Sequence, residues 1–77
     1  MSTYRLDPEA LYEDLDDRRQ ERGLSWRAIA RETDLSPMVF SRLKQGTAPD
    51  AHAVLTLLVW LTPGADAELP VKPMAAA

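Results

Sequence analysis

The sequence contains no cysteine, so neither a disulfide nor a thiolate metal site can staple the fold, and helix packing must hold it together. Histidine is nearly absent too. His52 stands alone with no second ligand in view, which argues against a metal centre. With no cysteine, one histidine and no Gly-rich phosphate loop, no nucleophile and base can be paired, so we expect neither an enzyme nor a cofactor. Long apolar runs are missing as well. The longest, Ala53 to Leu61, falls far short of the roughly 20 residues that cross a bilayer, and the first residues form no apolar run of the signal-peptide kind. A cytoplasmic protein without a membrane partner is expected, and the lack of cysteine fits a reducing compartment.

Positive charge is also in short supply. Nine Lys and Arg face twelve Asp and Glu, a net charge of −3 that at first sight disfavours nucleic acid, because phosphate binding usually shows up as a basic domain. The distribution points the other way. Residues 1 to 17 carry −5, residues 18 to 47 carry +4 and residues 48 to 77 carry −2. The cations are gathered in the centre of the chain, although a charge run can equally be no more than a solvated face.

What is present is an ordinary globular composition, 45% hydrophobic and 27% charged in 77 residues. We read one domain over 1–64 and a C-terminal extension over 65–77. A chain this short hides only about 60% of the surface exposed when unfolded, so its stability should be modest.

Four stretches begin with the same device. Leu6 precedes Leu11, Leu24 precedes Ile29, Leu35 precedes Phe40 and Pro49 precedes Val54, each pair five residues apart around a capping residue: Asp7, Ser25, Ser36 or Asp50. This is a hydrophobic staple over a capped helix start. The first helix opens at Pro8 and should stop at Gly23, with Leu11, Leu15 and Tyr12 on its inner side and Glu9, Glu13, Asp16 and Asp17 pointing outward. The second runs from Trp26 to about Thr33, with Ile29 and Ala30 inward, and Asp34 takes the turn in a left-handed conformation.

The third helix is capped by Ser36, opened by Pro37 and ended by Gly46. At 100° per residue it groups Val39, Phe40 and Leu43 on one side and Pro37, Met38, Ser41, Arg42 and Gln45 on the other. The first set is core and the second is presented. A fourth helix from about Ala51 to Leu61 has Val54, Leu57, Leu58 and Leu61 on one stripe, but Leu55, Val59 and Trp60 make it apolar nearly all round. Such a helix needs a second partner, either the tail or another copy of the protein. Residues 65 to 77, with Pro70, Pro73 and a final Ala run, show no helical periodicity and read as a mobile or loosely docked tail.

The run from Arg19 to Gly23, Leu24-Ser25, Ile29-Ala30, Leu35-Ser36, Phe40-Ser41-Arg42-Leu43, Gly46 and Pro49 together resemble the Cro/C1-type (XRE-like) helix-turn-helix family of phage and bacterial regulators. The likeness implies an all-α, lambda-repressor-like domain of four helices, or five if the extension supplies one, although no fifth helix is evident. It also implies sequence-specific binding of double-stranded DNA and a repressor-like transcriptional regulator, and the surplus apolar side of the fourth helix points to a homodimer. The helix over 36–45 would lie in the major groove, with the helix before it crossing the backbone.

Carried over position by position, Pro37, Met38, Ser41 and Arg42 would face bases. Arg42 suits a guanine, Met38 a thymine methyl and Ser41 either strand. Ser25, Trp26, Arg27, Ser36, Lys44, Gln45, Gly46 and Thr47 fall at or near backbone-contacting positions. Leu55, Val59 and Trp60 would form the dimer interface.

Three positions depart from the family. Trp26 replaces a common Gln, with its indole N–H as the substitute donor to phosphate. Asp34 replaces a turn Gly, and Lys44 replaces an acid that commonly pairs with Arg19, so two cations would repel or both turn to phosphates. The rival expectation is a protein-binding module on the same fold, antitoxin-like or an anti-repressor partner, motivated by the net acidity and using the acidic first helix or the apolar fourth.

Overall fold

A computed structural model describes residues 2–74 as five helices with no strand among them: α1 (Pro8–Arg22), α2 (Trp26–Thr33), α3 (Met38–Lys44), α4 (Ala51–Leu61) and α5 (Ala65–Glu68). The protein is all-α. The final Ala run, residues 75–77, lies outside the described residues.

The helix starts form as the staples predict. Asp7 Oδ1 accepts from the Ala10 N–H at 3.1 Å, Ser25 Oγ from Ala28 at 3.1 Å, and Asp50 Oδ1 from Ala53 at 2.9 Å. Each satisfies one of the donors that a first helical turn leaves without a backbone acceptor. The start of α3 differs by one residue. Ser36 Oγ accepts from Met38 N at 3.3 Å, and Val39 N and Phe40 N reach back three residues to the Ser36 and Pro37 carbonyls, so the entry is a tight 3₁₀-like turn and regular helix begins at Met38.

Three helix ends share a second device. Gly23, Asp34 and Gly46 are left-handed, with φ of 65°, 55° and 87°. The residue after each donates five positions back: Leu24 N to Arg19 O at 2.9 Å, Leu35 N to Ala30 O at 3.0 Å, and Thr47 N to Arg42 O at 2.8 Å. These are Schellman closures. Leu24 and Leu35 therefore work twice, as the apolar residue closing one helix and as the staple opening the next. Both pack against the core, so each fixes the direction of two helices.

That core is built from Leu11 and Leu15 of α1, Ile29 and Ala30 of α2, Phe40 and Leu43 of α3 and Leu57 of α4. Leu15, Ile29, Leu43 and Leu57, one from each of the four longer helices, are fully buried. Helix α1 packs on α3 and α4, and α2 also touches α4. The inner faces predicted for the first three helices are the ones that turn inward, with Tyr12 and Val39 half-buried at the edge.

Helix α4 departs from expectation. Ala53 and Leu57 are buried and Trp60 and Leu61 pack against the core, whereas Leu58 is 37% exposed and Leu55 40% exposed. The buried arc is rotated by roughly 60° from the stripe of Val54, Leu57, Leu58 and Leu61 at 100° per residue. Trp60 thus belongs to the packed side, and Leu58 joins Leu55 on the free side. The eleven residues contain no charged face and only His52 and Thr56 as polar residues, too little to orient the helix, so its rotation is set by the neighbours that contact it.

The extension is also more ordered than its composition predicts. Residues 65–68 form one helical turn against α4, Gly64 enters it with φ of 82°, and Ala65 is buried. No helix among the described residues is long and apolar enough to cross a membrane.

Candidate functional site

The short α3 is held from beneath. Phe40 and Leu43 are buried against α1 and the rest of the core, and this one-sided burial leaves Pro37, Met38, Ser41, Arg42 and Gln45 all on the surface. Met38 is 60% exposed at the start of this seven-residue helix. Neither acidic residues nor intramolecular ion pairs occupy this face: α3 contains no Asp or Glu, and Arg42 and Lys44 reach no carboxylate within 4.0 Å among the described residues. The structure brings the four candidate base-facing residues together on one exposed surface.

The cations of the central stretch divide into two groups. Arg18 pairs with Glu21 at 3.7 Å, Arg19 with Asp16 at 2.6 Å and Arg22 with Glu32 at 3.2 Å. All three arginines stand in the second half of α1. Arg27, Arg31, Arg42 and Lys44, on α2 and α3, are exposed and have no such partner among the described residues. Arg31 is the residue missed in the sequence. Its position four after Arg27 on one helix is the signal that marks it, since i and i+4 share a face.

Arg27 and Arg31 border an open cleft of about 680 Å³ between α2 and the entry to α3, lined also by Ala30, Asp34, Leu35 and Pro37. Ser25 also lines it, but its Oγ is engaged in capping α2. Lys44, Gln45 and Thr47 are exposed at the far end of α3, with Gly46.

Two backbone-contact candidates sit in surroundings that the sequence did not reveal. The Trp26 ring stacks on Tyr12 at 4.9 Å between centroids and tilts against Phe40 at 5.1 Å, so it joins α1, α2 and α3 in the core edge. Its indole serves packing first. At Gly46, an added Cβ would lie 3.2 Å from Glu9 Oε1, which places an α1 carboxylate beside the loop expected to meet a phosphate. That carboxylate repels an anion at this end of α3.

Arg19 corrects a further expectation. Rather than turning to a phosphate it is engaged within the protein: its Nε and Nη2 bind Asp16 Oδ1 at 2.9 and 2.6 Å, its Nη1 donates to Leu24 O at 3.0 Å, and its guanidinium lies 5.1 Å from the Trp26 ring centroid. The missing acid is supplied from within α1, one turn earlier. Of the candidate interface residues on α4, Leu55 is exposed, Val59 is half-buried and Trp60 packs inward with the Arg22 guanidinium 5.4 Å from its ring centroid. The shielded Trp60 Nε1–H finds no acceptor among the described residues.

Comparison with protein-family models, with curated proteins and with solved structures returned no match to this chain.

Proposed function

We propose that the protein binds double-stranded DNA in a sequence-selective way, as a small transcriptional regulator with a lambda-repressor-like helix-turn-helix formed by α2 and α3. The observation that carries this reading is the division of α3: Phe40 and Leu43 are buried while Pro37, Met38, Ser41 and Arg42 are exposed on a helix that contains no Asp or Glu. A helix rigidly seated by one face and presenting short polar, apolar and cationic side chains on the other has the chemistry of base-edge readout. Its neighbours Arg27, Arg31 and Lys44 supply unpaired positive charge for the backbone.

In this reading two copies associate through the free side of α4, with Leu55 and Leu58 at the contact and Val59 beside them. This side carries Leu55, Leu58 and His52 and no Asp, Glu, Lys or Arg of α4, so a second copy meets little electrostatic repulsion there. Selection of duplexes from a random-sequence pool at controlled salt, combined with the solution mass, tests both parts. An enriched motif with two half-sites and a mass of two chains is the expected result. Failure to enrich any sequence, with no duplex bound at low salt, overturns the DNA reading.

Three observations favour a second reading. Glu9 beside Gly46, the exposed acids of α1 and the net charge of −3 suit a module that binds a basic or apolar protein surface on the same fold. Salt separates the two. Phosphate-driven binding weakens steeply as salt rises, in proportion to the number of phosphates neutralised.

A further inference from the structure

We propose that Met38 is a redox switch on the outward side of α3: oxidation of its thioether to the sulfoxide by a peroxide releases the duplex, and reduction restores binding. The inference rests on the DNA reading above and adds a modification site to it.

With no cysteine in the chain, its sulfur is confined to three methionines. Met1 lies outside the described residues, and Met74 is 84% exposed in the tail after α5. Among the described residues Met38 is the one methionine in a helix, 60% exposed and roughly opposite the buried Phe40 and Leu43 at 100° per residue. Thioether oxidation follows exposure, so Met38 is open to the reaction. The buried core holds no methionine among the described residues, and Met38 does not pack against it, so the modification leaves the fold standing.

The step balances with a peroxide as the oxidant. The sulfur lone pair attacks one oxygen of hydrogen peroxide, the O–O bond breaks and an S–O bond forms, and both hydrogens leave with the second oxygen as water. Sulfur loses two electrons and the peroxide gains them. A soft apolar side chain thereby becomes a polar one carrying a strong hydrogen-bond acceptor. Two effects then act on one face. The new oxygen must shed water to lie against a thymine methyl, which opposes binding. Arg42 stands four residues on, on the same face of α3, and its guanidinium reaches no carboxylate within 4.0 Å among the described residues. The sulfoxide offers it an acceptor and draws it away from a base edge.

The test uses the full chain, a duplex enriched by the selection above, dilute hydrogen peroxide, and peptide mass mapping of the added oxygen. Bound duplex should slow oxidation of Met38 about fivefold while Met74 reacts alike with and without DNA. Protein oxidised at Met38 should bind about tenfold more weakly with unchanged helical circular dichroism, and a methionine sulfoxide reductase supplied with a dithiol should restore the affinity. Met38→Leu, whatever its starting affinity, should bind equally before and after peroxide, whereas Met74→Leu should keep the loss. Equal affinity of the oxidised and reduced protein, or no protection of Met38 by bound duplex, overturns the switch and leaves the DNA reading intact. Lost binding in peroxide-treated Met38→Leu, or lost helix on oxidation of the natural chain, overturns it as well. If the natural chain binds no duplex at low salt, the switch falls together with the DNA reading.

Discussion

The arginines of α1 and the cations of α2 and α3 are neighbours in one basic stretch, yet they have opposite fates. Arg18, Arg19 and Arg22 are turned back onto Glu21, Asp16 and Glu32, and Arg19 and Arg22 also cover the Trp26 and Trp60 rings. Arg27, Arg31, Arg42 and Lys44 extend into solvent without a carboxylate partner among the described residues. The first group is neutralised by carboxylates within α1 or, for Arg22, on α2, and the second is left to act on other molecules. A +4 segment is thus not a +4 surface: its field comes from the cations that internal geometry leaves unpaired.

The strongest way to break the contrast is to remove the platform beneath the paired group. Trp26→Ala should cost about 3 kcal/mol of unfolding free energy, because it deletes a ring stacked on Tyr12 and tilted against Phe40 and the surface under Arg19. Chemical denaturation measures this directly, and a loss below about 1 kcal/mol would mean that the stack contributes little. On the unpaired side, Arg42→Ala should leave the melting temperature unchanged and relax DNA selection at one base position, at a cost of about 1 to 3 kcal/mol in discrimination. Equal selectivity in wild type and variant removes Arg42 from base readout.

Arg19→Ala sharpens the comparison in reverse. Its pair with Asp16 is partly buried, with side chains 25% and 30% exposed, and it also holds the Leu24 carbonyl. Losing it should reduce stability by about 1 to 2 kcal/mol while leaving the salt slope of any DNA binding untouched. A changed slope would place Arg19 among the DNA-facing cations. The smallest effect is expected for Arg22→Lys, which keeps the charge but exchanges the planar group over Trp60 for an ammonium. Thermal unfolding should shift by no more than about 0.5 kcal/mol, as for an exposed ion pair.

Much of the framework was legible because its signals are local. A cap and an apolar pair five residues apart specify a helix start through contacts within two turns, and Gly23, Asp34 and Gly46 mark the ends by their tolerance of positive φ. The two faces of α3 followed from periodicity, because Phe40 and Leu43 contrast with Ser41, Arg42 and Gln45. Helix α4 offered no such contrast, so Leu58 and Trp60 were placed on the wrong sides. Residues 65–68 were missed because a single helical turn has too few residues for a periodic signal, and its stability comes from packing on α4.

At the site, the sequence held the identity of the presented residues but not their surroundings. Trp26 could be numbered from Ser25, yet its stacking partners lie on α1 and α3. Glu9 and Gly46 are far apart in the chain and meet only when α1 packs against α3.

The sequence by itself determined an all-α chain, four helix starts and the side of α3 that faces outward, since caps, staples and helical periodicity act over a few residues. Only the tertiary structure decided that Arg22 reaches Glu32 on α2, which side of α4 is free, and that Arg27, Arg31 and Asp34 share one cleft with Pro37. Those outcomes depend on distances between separate helices, and electrostatic and packing energies follow distance in space rather than separation along the chain.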